Sequence, residues 1–246
     1  MKDKYTVEYH KQYMNNEFEK EIVSIRRNNI LHSLNKHNPK NILEIGCGLE
    51  PLFKLVDNYS KFTVVEPNED FVNNAINLAG QDPKISIVKG EIEKSYQLIK
   101  SQKYDFIIIS SLLHEVSSPE NILQAIHELC DKETVLYIDV PNKNSFHRLI
   151  GVNMGIINSV DDKSEMDKRF SRCHHFSIES LKQLVQNESF IILDQWTFFI
   201  KPFSSAQMAI MLKENIINDS VLDGLQKMIR HLPNYGSSIA MELKIV

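Results

Sequence analysis

The sequence predicts an α/β fold with a seven-stranded, mostly parallel sheet, helices on both faces and an antiparallel pair of strands at its C-terminal end. Five short apolar runs between about residues 41 and 140 alternate with amphipathic segments. These runs are continuously apolar, as expected for parallel strands buried on both faces. The chain then ends on two longer strand-like runs separated by helical sequence. Alternating strands and helices predict a layered α/β domain.

The elements of the first half follow from apolar spacing and from turn residues. Residues 17–35 have apolar side chains near helical spacing, and Gly80 closes a second amphipathic helix over 68–79. We predict a further helix after Pro51. The first three strands are predicted at 41–45, 62–65 and 85–88.

The second half continues this pattern and then interrupts it. Ser118 and Pro119 form an N-cap and first-turn proline for a helix that lies between strands at 106–109 and 135–140. A further helix over 177–186 precedes the closing strands at 190–200 and 237–246. We expect one domain over 1–246, with an N-terminal helical lid (about 1–38), a cofactor-binding core (39–141), an acceptor-side insertion (142–176) and the closing elements (177–246).

The composition of the chain limits the kinds of molecule that we expect it to bind. The formal net charge is -4 and the pI about 6.1, so no basic field favours nucleic acid. No apolar run approaches the roughly 20 residues of a membrane-spanning helix. The polar N-terminus lacks a secretion signal, and Cys47, Cys130 and Cys173 are widely separated. These features predict a cytoplasmic protein that binds neither nucleic acid nor membrane.

A glycine pair after the first strand is the strongest local signal. In Glu44-Ile45-Gly46-Cys47-Gly48 the glycines allow a sharp turn and a close backbone approach to a ligand at the carboxyl edge of the sheet. An NAD-binding loop needs a third glycine where this chain has Pro51. The acid at Glu44 suits an ammonium group and repels a pyrophosphate.

Two further acids follow strands. Glu66 ends the second strand about 20 residues after the loop, where a carboxylate can accept hydrogen bonds from both hydroxyls of a ribose. It also fits an acid that begins the next helix. Gly90-Glu91-Ile92 follows the third strand and fits either an adenine contact or an ordinary turn.

Taken in order, these motifs resemble the core of class I S-adenosylmethionine-dependent methyltransferases, which have a Rossmann-like sheet. The resemblance covers about residues 41–140, and the two closing strands match the antiparallel pair of that fold. It implies S-adenosylmethionine as cofactor. Transferred by position, it places Gly46, Cys47 and Gly48 along the methionine part with Glu44 near its amino group, Glu66 on the ribose, Pro67, Asn68, Glu91 and Ile92 around the adenine, and Ser110 and Ser111 below the methionine.

A methyl transfer to a hydroxyl benefits from a general base, and histidine titrates nearest to neutral pH. His114 follows the fourth strand, where the resemblance places the start of the acceptor pocket, and is our candidate. The alternative is a loop histidine that packs beneath the cofactor. Related ubiquinone-type enzymes have the acid before the histidine, whereas this chain has His114-Glu115, so we predict no metal.

The insertion supplies candidate acceptor contacts. His147 and Arg148 follow the fifth strand, and His174 and His175 precede the next helix cap. They predict a polar acceptor that can be anionic, although a solvated loop fits them equally well. Tyr5, Tyr9 and Tyr13 are candidates for the lid or for core packing.

We therefore expect O-methylation of a small-molecule or sugar-like acceptor. The sequences around 141–148 and 198–208 resemble bacterial methyltransferases of surface-polysaccharide or small-metabolite pathways. An N-methyltransferase and a catalytically silent cofactor-binding module are the alternatives. An NAD-dependent dehydrogenase fits least, because the phosphate-binding loop is incomplete.

Overall fold

A computed structural model describes residues 16–163, 167 and 172–246, and these residues build a seven-stranded sheet. The tyrosines of the predicted lid, Tyr5, Tyr9 and Tyr13, lie outside the described residues. The strands are β1 (Asn41–Ile45), β2 (Lys61–Glu66), β3 (Ile85–Lys89), β4 (Phe106–Ser110), β5 (Val135–Pro141), β6 (Phe190–Phe198) and β7 (Ser238–Ile245).

The helices surround this sheet and begin at polar caps that the sequence supplies. The Asn68 side chain accepts hydrogen bonds from the Asp70 and Phe71 amides, and Ser177 forms a capping box with Ser180. The helices are α1 (Glu17–His37), α2 (Glu69–Ala79), α3 (Ile92–Ile99), α4 (Pro119–His127), α5 (Phe146–Asn153), α6 (Ile178–Asn187), α7 (Ser205–Lys213) and α8 (Asp219–Lys227).

The strand order is β3-β2-β1-β4-β5-β7-β6, and β1 to β5 are parallel. β7 is antiparallel to both of its neighbours, β5 and β6. This confirms the predicted mostly parallel sheet with an antiparallel C-terminal pair. Because β6 is antiparallel to β7, it runs parallel to β5, and its last residues lie at the same sheet edge as the carboxyl ends of β1 to β5.

Both sheet faces are covered, as predicted, because successive side chains of each strand point to opposite faces. Leu43, Ile107 and Leu136 pack on one face against apolar side chains of α3, α4 and α6. Ile42 and Ile108 pack on the other face against α1, α2, α7 and α8. Among the described residues, no helix is both long enough and apolar enough to cross a membrane.

Two elements differ from the sequence prediction. The predicted helix after Pro51 is a single 3₁₀ turn, Leu52–Lys54, in which the Leu55 amide closes on the Leu52 carbonyl instead of continuing the helix. β6 ends at Phe198, two residues earlier than predicted, because Phe199 adopts the left-handed conformation (φ 59°) and turns the chain.

Two helices of the structure have no counterpart in the prediction. α3 begins at Ile92, where a turn was predicted, and its buried Ile92 and Ile99 lie seven residues apart on one face. α5 begins after Ser145, inside the stretch interpreted as an irregular insertion. α5 has no fully buried residue, which explains its weak sequence signal.

Candidate active site

Polar side chains from four parallel strands lie on one face of the sheet near its carboxyl edge. Glu44, Glu66, Ser110 and Asp139 each follow, by two residues, an apolar residue of the core that contacts α1 and α2. Strand alternation therefore places all four on that same face. Their residues pair with neighbouring strands in a continuous register, with Ser110 opposite Asp139. Ligands of open α/β sheets bind at this edge.

The loop after β1 depends on glycine backbone geometry. Gly46 and Gly48 have φ values of 77° and 57°, which strain any residue with a side chain. The Gly46 amide donates to the Val65 carbonyl at 2.9 Å, which fixes the loop against the end of β2. Cys47 between them is buried, and burial raises the pKa of its thiol, so it is not a reactive thiolate.

Glu66 is oriented by backbone donors. Its Oε1 accepts from the Asn68 amide at 2.9 Å and its Oε2 from the Gly48 amide at 3.4 Å. The residue is 4% exposed, and burial raises the pKa of its carboxyl. A carboxylate has about four lone-pair positions. The Cys47 amide and thiol also act on these oxygens, so Glu66 is held by the loop after β1 and by the turn through Pro67 and Asn68.

Glu44 lies beneath the loop. Its Oε2 accepts a hydrogen bond from the Leu52 amide at 2.9 Å. Burial raises the pKa of this carboxyl to about 8, although the Leu52 hydrogen bond and the positive charge of Arg27 oppose the shift. At neutral pH the unliganded side chain is therefore mostly protonated, and a cation placed beside it would favour its ionised form.

The two residues assigned to the adenine after β3 point in different directions. Glu91 forms an ion pair with Lys94 at the start of α3. The Ile92 side chain is 2% exposed and belongs to the apolar core. The turn can therefore offer a ligand the backbone of Ile92 and the exposed side chain of Glu91.

The end of β5 carries a buried acid, Asp139, that sequence reasoning missed. Ser110 Oγ donates to Asp139 Oδ2 at 2.6 Å, and Arg26 Nε of α1 lies 3.5 Å from Asp139 Oδ1. Burial raises the pKa of Asp139 to about 6. Ser111, which follows, has a φ of 54° and donates its amide to the Asp139 carbonyl at 2.9 Å. A charged residue in the otherwise apolar run of β5 was the available signal.

His114 is almost completely buried, at 2% exposure. Neither ring nitrogen has a hydrogen-bond partner among the residues that the structure describes, and Nε2 lies 3.5 Å from Glu115 Oε1. Burial, followed by the positive charge of Arg172, lowers its pKa well below the usual value, so the ring is neutral at neutral pH. Its carbonyl accepts from the Cys173 and His174 amides at 2.9 and 3.2 Å, which holds the end of the insertion beside it.

His147 and Arg148 lie side by side at the start of α5 and have different surroundings. Burial, then the charges of Lys201 and Arg148, lower the pKa of His147 to about 2. Arg148 Nη2 donates to the carbonyls of Val160 and Asp162 at 2.7 and 2.6 Å. Lys201 was not singled out from the sequence, since a lone lysine beyond a strand is usually a solvated residue.

The adjacent histidines of the insertion make separate contacts. His174 Nε2 lies 3.3 Å from the Ser117 carbonyl. His175 Nδ1 lies 3.1 Å from the Asp161 carbonyl, and its Nε2 lies 3.2 Å from the buried carboxylate of Asp167. The described residues contain no group of three His, Cys, Asp or Glu side chains able to hold a metal ion.

The residues at this edge fit a nucleoside that carries an amino-acid tail. Glu66 is a buried acid held by loop amides at the end of β2, and Gly46 and Gly48 have no side chain to block an approach to the loop backbone. Glu44 is a buried acid that gains from a neighbouring cation. With the parallel sheet and its antiparallel closing pair, these features define the class I methyltransferase fold.

Comparison with known proteins identifies the family. Residues 19–195 match the family described as Methyltransferase domain, and the chain belongs to this family. The chain is thus an S-adenosylmethionine-dependent methyltransferase. A comparison with curated protein sequences finds no match.

Solved structures share the fold at low identity. The N-methyltransferase NodS from Bradyrhizobium japonicum, in complex with S-adenosylhomocysteine, is 13% identical with a TM-score of 0.57 over 99% of both chains. The plantazolicin methyltransferase BamL, in complex with a desmethyl analogue and S-adenosylhomocysteine, is 18% identical with a TM-score of 0.59 over 97% of this chain and 94% of that one. A Thermotoga maritima methyltransferase is 15% identical with a TM-score of 0.58 over 97% and 99%.

Proposed function

We propose that this chain transfers a methyl group from S-adenosylmethionine to an oxygen of a small polar acceptor. The acceptor class is a sugar, a nucleotide-linked precursor or a phosphate-like capsule substituent. The observation that supports this proposal is the imidazole of His114, which lies just beyond β4 and is buried and neutral. Its ring nitrogens have no hydrogen-bond partner among the described residues. Cys47, Cys130 and Cys173 form no disulfide with one another, which suits the reducing cytoplasm.

In this proposal the loop and the acids bind and orient the cofactor. Gly46, Cys47 and Gly48 lie along its methionine part with Glu44 at its amino group, and Ser110 and Ser111 lie below. Glu66 accepts from the ribose hydroxyls, while Pro67, Asn68, Glu91 and the Ile92 backbone surround the adenine. The cofactor supplies a methyl group already activated by its sulfonium, so the protein's main tasks are alignment and removal of a proton.

His114 is the proposed general base, and its proton state fits the role. Because its pKa is lowered, the imidazole is unprotonated at neutral pH and can accept the hydroxyl proton as the new bond forms. His147, Arg148, His174 and His175 are the proposed acceptor contacts. Of these, Arg148 is held by two carbonyls, so its guanidinium is already oriented.

N-methylation of a small metabolite is the second candidate. The same lowered pKa makes His114 a weak proton acceptor, which suits an amine that attacks through its own lone pair and needs no strong base. The fold of the N-methyltransferase NodS favours this alternative. The third hypothesis is a cofactor-binding module without activity. It predicts that the chain binds S-adenosylmethionine but transfers no methyl group.

The first test is cofactor binding by calorimetric titration. We expect micromolar binding of S-adenosylmethionine, none of NAD, and loss of affinity of roughly 100-fold or more in Glu66→Ala, since each of the two proposed hydrogen bonds to the charged group contributes about 1.5–3 kcal/mol. Glu69→Ala is the matched control, because Glu69 is a neighbouring acid whose side chain is 73% exposed. Binding of NAD, or equal loss in both variants, would contradict the proposed site.

A further inference from the structure

The turn after β4 carries a carboxylate beside the buried imidazole of His114. His114 Nε2 lies 3.5 Å from Glu115 Oε1. The Glu115 amide donates to the Leu112 carbonyl at 2.9 Å, which closes the turn. The Cys173 and His174 amides donate to the His114 carbonyl at 2.9 and 3.2 Å. The two side chains are therefore carried by a backbone that is fixed on both sides.

The insertion holds the same carboxylate from another direction. Arg172 Nε lies 3.8 Å from Glu115 Oε1. Arg172 is anchored in turn, since its amide donates to the Asp167 carbonyl at 2.9 Å and its Nη1 lies 3.5 Å from Asp167 Oδ1. The Arg172 and Glu115 side chains are only 21% and 19% exposed, so salt screens this contact little. An ionised carboxylate can only accept hydrogen bonds, and Oε1 thus lies as an acceptor between a guanidinium and the imidazole.

Positive groups of the insertion and of α1 surround the His114 ring. These groups are Arg172, Arg26, His175 and His174, in order of their effect. Together with burial they lower the pKa of His114, so the ring is neutral at neutral pH and carries one hydrogen. A neutral imidazole has this hydrogen on Nδ1 or on Nε2, and the choice depends on the partner that each nitrogen finds.

We propose that Glu115 is a positioning residue that fixes the tautomer of His114. A carboxylate oxygen beside Nε2 attracts an N–H and repels a lone pair, so the hydrogen lies on Nε2 and the lone pair on Nδ1. This inference rests on the proposed function, because it names the atom of the base that takes the proton of the acceptor. No hydrogen-bond partner of Nδ1 is found in the part of the chain that the structure describes.

The same contact stabilises the charge that forms during the reaction. Nδ1 takes the hydroxyl proton as the oxygen–methyl bond forms and the sulfur–methyl bond breaks, and the ring becomes an imidazolium. The positive groups around His114 oppose this charge, and the carboxylate of Glu115 at Nε2 offsets part of their effect. Because the imidazolium exists only during and after proton transfer, Glu115 should affect the chemical step more than the binding of the acceptor.

Nitrogen NMR of isotope-labelled histidine measures the tautomer without any acceptor. The signals of His114 are those that disappear in His114→Gln. We expect the hydrogen on Nε2 in the wild-type chain at neutral pH. It should stay there in Glu115→Gln, whose amide oxygen can still accept a hydrogen bond. In Glu115→Ala the ratio of the Nε2–H form to the Nδ1–H form should fall roughly tenfold or more.

The matched control is Glu120→Ala, which removes an exposed acid five residues further along and should leave the tautomer unchanged. A hydrogen on Nδ1 in the wild-type chain would show that the inference is wrong, and so would an unchanged tautomer in Glu115→Ala. If Glu115→Ala loses its cooperative thermal transition, the wild-type spectrum and Glu115→Gln decide.

Turnover separates a positioning role from a structural one. With a hydroxyl acceptor, kcat should fall roughly 10- to 100-fold in Glu115→Ala and less in Glu115→Gln. The KM of the acceptor and the affinity for S-adenosylmethionine should stay within about twofold in both variants. A loss that appears only in KM or in cofactor affinity would contradict the assigned role.

The proposed function and this inference fail in different ways. If the wild-type chain does not bind S-adenosylmethionine, or if His114→Gln methylates a hydroxyl as fast as wild type, the proposed function is wrong. If His114→Gln loses hydroxyl methylation while Glu115→Ala keeps the wild-type kcat, only this inference is wrong.

Discussion

His114 is the residue whose substitution separates oxygen from nitrogen as the methylated atom. His114→Gln keeps a side chain of similar size and a hydrogen-bond donor but removes the proton acceptor. If a hydroxyl is methylated, we expect kcat to fall by about 10²- to 10⁴-fold, the usual contribution of general-base catalysis. The measurement is transfer of isotope-labelled methyl from S-adenosylmethionine to a panel of sugars, phosphorylated sugars and amines.

The control for this comparison is cofactor affinity. It should be unchanged in His114→Gln, because the proposal assigns His114 to the acceptor and not to the cofactor. An amine acceptor whose turnover survives the substitution would replace O-methylation by the second candidate. Cofactor binding with no transfer to any acceptor would favour the silent module.

The raised pKa of Glu44 predicts that the affinity for the cofactor depends on pH. In the unliganded chain its pKa is about 8, so below that pH the side chain carries a proton. A bound ammonium group favours the ionised form, and binding must then release that proton. Affinity should therefore rise as the pH increases from about 6 to about 7.5, by up to roughly tenfold per unit.

Calorimetry in buffers of different ionisation enthalpy measures this proton release. In Glu44→Gln the pH dependence should flatten, because the amide cannot ionise. A wild-type affinity that is constant over this range would show that the amino group does not bind beside Glu44. Glu50→Gln is a suitable control, since Glu50 lies in the same loop and is paired at the surface with Arg27.

At the scale of elements, α1 is attached to the sheet by a buried carboxylate. Glu242 of β7 accepts from Ser33 Oγ at 2.6 Å and from Lys36 Nζ at 2.8 Å, and it lies 2.9 Å from His37 Nε2. Hydrogen bonds from these three residues lower the pKa of Glu242 below its usual 4.5, although burial opposes this shift. The same helix carries Arg26 to Asp139, so its attachment also positions the candidate site.

We expect Glu242→Gln to lower the free energy of unfolding at pH 7 by about 1–3 kcal/mol. Because the pKa of Glu242 is lower in the folded state, its contribution is present above about pH 4.5 and is lost as the pH falls through the folded pKa. The two proteins should therefore converge in stability at acidic pH, as measured by urea unfolding. Asp194→Asn, at the exposed partner of Lys36, should change stability by less than about 0.5 kcal/mol. Parallel stability curves down to pH 3 would contradict this role.

The elements also show which parts of the molecule could be predicted from sequence. β1 was predicted with its observed bounds, and Asn68, Ser118 and Ser177 were recognised where helices begin, because apolar runs and caps are local signals. The glycine loop and Glu66 were found for the same reason. Asp139 and Arg26 were missed, since their contact forms only when a strand and a helix distant in sequence meet.

At the scale of the whole molecule, the strand order places β7, the last strand of the chain, between two other strands and not at an edge of the sheet. β7 pairs with β5 on one side and with β6 on the other, although β5 ends almost 100 residues earlier. Ile239, Ala240, Met241 and Leu243 of β7 are fully buried. β6 is joined to the rest of the sheet only through β7, among the described residues. The domain thus closes through a long-range pairing, which is typical of slow folding.

This topology predicts that the last strand is required for the fold and not only for the acceptor side. Deletion of residues 238–246 leaves β5 at the edge of the sheet, paired only with β4, and removes the partner of β6. We expect the shortened chain to lose its cooperative thermal transition and its binding of S-adenosylmethionine, as followed by circular dichroism and calorimetry. Deletion of Val246 alone, which is 80% exposed, should leave both unchanged.

Hydrogen exchange of the intact chain tests the same point without deletion. If β7 unfolds only with the whole domain, the amides of Ala240 and Met241 should exchange with the same opening free energy as those of Leu43 and Ile108 in the central strands. Faster exchange of β6 and β7 together would instead mean that the closing pair opens separately.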